Sequence, residues 1–218
     1  MQESNRGYFL TVEGVEGVGK STNIAFIADR LEQAKIPFIV TREPGGTPLA
    51  EDIRQLLLAR RQEKVSENTE LLLMFAARAQ HISQVIEPAL DDGSWVVCDR
   101  FTDATYAYQG GGRGVSTGKI ASLEKLVQGE LCPDFTILLD APVELGLKRA
   151  RERAELDRFE QETLEFFDKV RNSYLEMAAA NSERFRVIDA NQPLDHVQQD
   201  LSVVLDYMVS RFLAVQVD

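Results

Sequence analysis

Histidine and cysteine are both scarce, with two of each: His81, His196, Cys98 and Cys132. Two cysteines form no disulfide framework and no thiolate metal cluster, and chemistry built on several histidines is excluded with them. The cysteine usage fits a reduced, cytoplasmic compartment. Both histidines read as surface or satisfied-core residues. Positive charge is short as well: 24 Lys and Arg stand against 35 Asp and Glu, a formal net charge of −11. No nucleic-acid partner is expected, and any phosphate must be held by a local site. No apolar run approaches the ~20 residues a membrane helix needs. Residues 1–6 show no basic-then-apolar pattern, so export is not expected. Nor is there an internal repeat, a low-complexity tract or a linker. The 218 residues, 44% of them hydrophobic, therefore read as one domain with its own core.

What is present is an alternation. Five short segments rich in β-branched and aromatic residues read as strands: 8–12, 37–41, 95–98, 135–139 and 185–189. Between and after them lie helical stretches at 20–35, 48–61, 66–90, 116–129, 143–153, 163–180 and 193–213. Thr47-Pro48 is a good helix start, with a hydroxyl cap and proline at the first helical position. Gly110-Gly111-Gly112 reads as a loop. Several strands are apolar throughout, so both faces of their sheet are expected to be covered. The pattern predicts an α/β fold, a five-stranded parallel sheet flanked by helices.

One motif carries specific chemistry. Gly14-Val15-Glu16-Gly17-Val18-Gly19-Lys20-Ser21 matches G-x-x-x-x-G-K-[ST], after a predicted strand and before a predicted helix. Glycines let backbone N–H groups converge on an anion, and the helix N-terminus adds positive partial charge. Lys20 would reach the β- and γ-phosphates, and the Ser21 hydroxyl would ligate Mg²⁺. The second glycine falls at 17 instead of 16, so the dinucleotide pattern G-x-G-x-x-G is not met. Such a site also needs an acid at a neighbouring strand end. Asp99 and Asp140 both qualify; Asp99 is favoured because Arg100 follows it, placing a guanidinium beside the carboxylate.

Further segments narrow the reading. Thr41-Arg42-Glu43-Pro44-Gly45-Gly46-Thr47, Phe75-Ala76-Ala77-Arg78-Ala79-Gln80-His81, Asp99-Arg100-Phe101 and Tyr108-Gln109-Gly110-Gly111-Gly112-Arg113-Gly114 resemble signatures of the bacterial thymidylate kinases. So does the stretch from Leu147-Lys148-Arg149 to Asp157-Arg158-Phe159-Glu160. The similarity spans residues 7–213. It implies a P-loop nucleoside monophosphate kinase fold, transfer of the γ-phosphoryl of ATP to dTMP with Mg²⁺, a short lid at about 149–160, and a homodimer. By position it implies that Phe75 stacks on thymine and Arg78 hydrogen-bonds a thymine carbonyl. Arg100 would hold the acceptor phosphate, with Arg42 and Arg54 near it and Pro44 beside them. Thr105 and Gln109 would sit near the base. Tyr108 would crowd the 2′ position, and Glu16 would accept a hydrogen bond from the 3′-hydroxyl. Arg149 would stack on adenine. Some relatives carry an arginine in the P-loop after the acidic residue; here that slot is Gly17, so Arg153 in the lid is expected to supply the missing charge. Departures are small: Phe101 replaces another aromatic or His, and Ser21 replaces Thr.

Two other readings compete. One is a kinase for another nucleotide, or for a nucleoside or another small hydroxyl acceptor; the last two lack a phosphate and would leave Arg100 without its role. The other is a nucleotide-binding switch or interaction module, which would need N-K-x-D if it used GTP, a motif that does not occur, and would leave the arginine-rich lid idle.

Overall fold

Five strands, β1 (Phe9–Glu13), β2 (Phe38–Arg42), β3 (Trp95–Asp99), β4 (Phe135–Asp140) and β5 (Phe185–Asp189), form one sheet in the order β2-β3-β1-β4-β5. All four pairings are parallel, as the α/β pattern predicts. This is a computed structural model, and it describes residues 6–153, 158–159 and 162–215, except for the side chains of Arg151, Arg153 and Val215.

The central strands are buried along nearly their whole length. Neighbouring residues serve opposite faces. Leu10 and Val97 join one cluster with Ile27, Ile137 and Phe167, while Phe9, Val96 and Cys98 join another with Ile82, Ile86 and Phe101. Covered faces explain why these strands are apolar without alternation. β2 and β5, at the edges, are partly exposed.

The helices are α1 (Lys20–Gln33), α2 (Pro48–Leu58), α3 (Glu67–His81), α4 (Glu87–Asp91), α5 (Thr102–Thr105), α6 (Thr117–Gln128), α7 (Val143–Arg153), α8 (Leu164–Ala180) and α9 (Leu194–Val215). Thr47, Ser66 and Thr163 cap α2, α3 and α8 by accepting from the N–H groups of Ala50, Thr69 and Phe166. Two segments differ from expectation. The stretch 66–90 is interrupted by a π-helical turn at Ile82–Ile86. Pro88 follows it and lacks an N–H, and a π turn is one way a helix absorbs such a missing bond. The second difference is larger. Residues 102–112 form α5 and a π-helical segment, Tyr106–Gly112, where the glycines predicted a loop. Two of those glycines are there for contact with α8: a Cβ at Gly112 would lie 2.4 Å from the Phe166 ring, and one at Gly111 would lie 2.7 Å from Ser173 Cβ.

The fold brings three loops together. β3 lies between β1 and β2, and Asp99 sits opposite both Val12 and Arg42. The loops after β1, β2 and β3 therefore meet at the carboxyl edge of the sheet, where α/β sheets bind ligands.

Candidate active site

The loop after β1 is built for an anion. Gly17 has φ +71°, and a Cβ there would come within 1.9 Å of the Gly146 carbonyl in α7. Only glycine fits both demands. Gly19 caps α1 in the left-handed region. Lys20 is buried and donates to the carbonyls of Gly14 and Val15, each at 3.1 Å. Burial and the charge of Arg100 lower its pKa, partly offset by Glu16 and Asp99. Val15 and Val18 point into the core, so the loop reaches the cleft through its backbone and through Glu16, Lys20 and Ser21.

Arg100 has φ +68°, a left-handed conformation that a non-glycine residue rarely adopts. Its Nη2 donates to Glu16 Oε1 at 2.7 Å and to the Tyr108 hydroxyl at 2.8 Å. Tyr108 in turn donates to Glu16 at 3.0 Å. Burial pushes the Glu16 carboxyl up. The charges of Arg100 and Lys20 and the two hydrogen bonds outweigh that push and hold it at about 2. Glu16 is thus an ionised acceptor throughout the working pH range, and Arg100 is held fully cationic.

Asp99 and Asp140 are now distinguished. Asp99 lines the cleft with Lys20 and Ser21, and its Oδ1 is buried without a protein partner. Asp140 is engaged by Arg171 through two bonds of 2.7 and 2.8 Å, away from the cleft walls. Asp99→Asn is expected to lower activity by about 10–100-fold, the scale of losing a carboxylate that helps to hold a metal ion. Asp140→Asn should leave kcat nearly unchanged and lower the melting temperature. Rates with MgATP check the ranking, and the reverse order would contradict it.

The cleft measures about 430 Å³. Beyond Arg100 its walls include Arg42, Pro44, Arg54, Arg78, Thr105, Tyr108 and Gln109. Arg42 pairs with Glu51 at 2.9 Å, and Arg54 donates to the Pro44 carbonyl at 3.0 Å. Arg78 is 2% exposed and held on several sides. It donates to Glu43 at 2.7 Å, to the Phe101 carbonyl at 3.2 Å and to Thr105 at 3.0 Å, while its Nη1 has no protein partner. Glu43 also contacts His81 Nδ1 at 3.1 Å, whose Nε2 lies 2.6 Å from Thr41 Oγ1. His81 is thus a satisfied core histidine, and His196 is exposed, as expected.

Phe75 stands elsewhere than expected. It is 2% exposed and packs with Leu71, Val115 and Ile120, and the Arg78 guanidinium covers its ring at 4.8 Å. It is absent from the cleft walls, which its neighbour Met74 lines. One residue turns a helix side chain by about 100°, which separates these two neighbours. Gln109 lines the cleft but donates to Glu70 at 2.9 Å. Glu70 also meets Arg113 and Arg158, and Arg158 donates to the Leu57 carbonyl at 2.7 Å. Phe159 lines the cleft 6.4 Å from the Tyr108 ring. Arg149 is exposed on α7, outside the cleft walls. α7 ends at Arg153, whose side chain lies outside the described residues, as do 154–157 and 160–161 of the expected lid.

Among the described residues no three His, Cys, Asp or Glu side chains cluster to hold a metal. Mg²⁺ needs less: one or two protein oxygens, waters and substrate phosphates are its usual set. Ser21 Oγ and the unpartnered Asp99 oxygen fit that role. The residues missed from sequence are Met74, Glu70 and the Glu43–His81 pair. Glu43 belongs to the Thr41–Thr47 segment, and its distance from His81 in the chain hides the pairing.

Fold and cleft together define a P-loop fold of the nucleoside monophosphate kinase type. The family model described as thymidylate kinase matches residues 12–201. Similar curated proteins include the thymidylate kinase of Pseudomonas fluorescens, 57% identical over 205 residues, covering 94% of this chain and 98% of that one. That of Teredinibacter turnerae is 59% identical over 200 residues, covering 92% and 98%. A solved thymidylate kinase from Ehrlichia chaffeensis superposes with a TM-score of 0.74 at 32% identity, covering 92% of this chain and 99% of that one. The chain belongs to the thymidylate kinase family.

Proposed function

We propose that this protein transfers the γ-phosphoryl group of ATP to dTMP, releasing ADP and dTDP, with Mg²⁺ held through Ser21 and Asp99. The observation that carries the reading is a single cleft in which phosphate-loop groups, Lys20 and Ser21, share a wall with Arg100 and Arg78. A donor site alone needs neither arginine. A nucleoside acceptor, lacking phosphate, would give Arg100 nothing to neutralise.

The protein's groups divide the work. Backbone N–H groups of residues 14–20 cradle the donor phosphates, and Lys20 swings from its loop carbonyls to the transferred group. Arg100, with Arg42 and Arg54 nearby, fixes the acceptor phosphate in line. Glu16 accepts from the 3′-hydroxyl. Tyr108, held by Glu16 and Arg100, closes the space near C2′. Arg78 offers its unpartnered Nη1 to a thymine carbonyl. Met74 supplies the apolar cover expected of Phe75, which supports Arg78 from below. Thr105 and Gln109 complete the base pocket. Bound Mg²⁺ supplies charge neutralisation on the phosphates. Arg149 serves adenine, and a lid at about 149–160 closes over the phosphates.

The same proposal includes a single domain over 1–218, a homodimer, and a reducing cytoplasmic setting suited to the two free cysteines. Among the described residues no helix is long and apolar enough to cross a membrane. The test is an acceptor panel with MgATP. dTMP should outrun dCMP, dGMP and UMP. dUMP should be slower and still active, since one buried methyl is worth about 1–3 kcal/mol. A preference for a purine monophosphate would overturn the reading.

A further inference from the structure

Arg100 is one of two described non-glycine residues with positive φ; the other, Lys35, simply follows the end of α1. Strain of this kind persists only where the surroundings over-determine it. The surroundings here can be named. The Arg100 N–H donates to the Val12 carbonyl at 3.1 Å, and Cys98 Sγ donates to the Arg100 carbonyl at 3.0 Å. The following N–H, of Phe101, is taken by the Glu13 side chain at 2.8 Å. Glu13 is fully buried, and its other oxygen accepts from the Tyr174 hydroxyl of α8 at 2.7 Å.

A buried carboxyl at the end of a core strand is costly unless it is fully bonded. Glu13 is also the residue before Gly14, whose carbonyl accepts from Lys20 Nζ and, at 3.4 Å, from Arg100 Nη2. One residue therefore ties the end of β3 to the start of the phosphate loop. We propose that Glu13 is a positioning residue: its side chain locks the Arg100–Phe101 peptide to β1, which fixes the acceptor arginine at a set distance from the donor loop. The inference rests on the proposed dTMP kinase reading. Glu13 touches neither substrate in this role and acts through Arg100.

The chemistry of the site says which substitutions keep the lock. Burial and the nearby Asp103 charge raise the Glu13 carboxyl above the usual carboxylate range, so an uncharged replacement is tolerable there. Glu13→Gln keeps an oxygen for the Phe101 N–H and gains an NH₂ that can donate to the Tyr174 oxygen. Glu13→Leu keeps the volume and offers no acceptor.

Steady-state kinetics of both variants, with melting temperatures, test the idea. Glu13→Leu should raise KM for dTMP by about tenfold, the scale of one ordinary hydrogen bond, and lower kcat. KM for ATP should stay within about twofold, because the loop's own bonds remain. Glu13→Gln should restore most of the dTMP KM. A folded Glu13→Leu with normal dTMP KM would overturn the proposal. So would an equal rise in both KM values, or a Gln variant as impaired as the Leu variant. If Glu13→Leu does not fold, Glu13→Asp decides: one methylene short, it cannot reach both donors, and a normal dTMP KM would be the contradiction. A wild-type protein inactive on dTMP would instead sink the functional reading itself.

Discussion

Lys20→Ala should lower kcat by about 10³-fold or more, with the fold retained, because it removes a charge preorganised at the transferred group. The ammonium now rests on two loop carbonyls, and burial and Arg100 both act against its charged form. Its loss therefore relieves an electrostatic cost as well as removing two hydrogen bonds, and the melting temperature should move little. The Glu16–Arg100 pair persists without it. The measurement is single-turnover rate with saturating MgATP and dTMP, beside a thermal melt. A kcat within about tenfold of wild type would mean that the loop does not work as a phosphate-transfer loop.

Arg153→Ala should lower kcat by roughly 10²-fold with modest change in KM for dTMP, the scale of losing one preorganised donor. Gly17 cannot host a guanidinium, since even a Cβ meets the Gly146 carbonyl. The charge has to arrive from elsewhere. α7 packs on the loop at Gly146 and ends at Arg153, seven residues on, which is about 10 Å along a helix. An arginine at the end of that helix is carried on an element already fixed against the P-loop. Arg151→Ala is the comparison, and an equal loss would leave the two sharing the role. A near-normal kcat in Arg153→Ala, with ATP saturating, would show that compensation does not run through it.

Much of the architecture was legible because it depends on local pattern. Apolar strands without alternation announced a sheet covered on both faces. The phosphate loop announced itself by spacing and context. The sequence favours Asp99 over Asp140 through its neighbour Arg100, and the ion pair of Asp140 with Arg171 supports that reading. What was illegible depends on distant packing. Gly110–Gly112 carries a loop composition, but Gly111 and Gly112 serve α8, whose approach no nearby residue reports. Met74 and Phe75 are adjacent and both apolar. Which of them faces the cleft is set by how α3 packs on α6, where Phe75 meets Ile120. The Glu43–His81–Arg78 cluster and the Glu13 contact each join residues far apart in the chain, so neither left a local trace.

The central claim is that one phosphoryl group moves directly from ATP to dTMP in this cleft, and ³¹P NMR of the protein with MgATP and dTMP reads that transfer directly. The account predicts that the dTMP phosphorus signal is replaced by the paired signals of dTDP, with ADP appearing in equal amount and no free phosphate. ADP and inorganic phosphate accumulating while dTMP stays unchanged would contradict it.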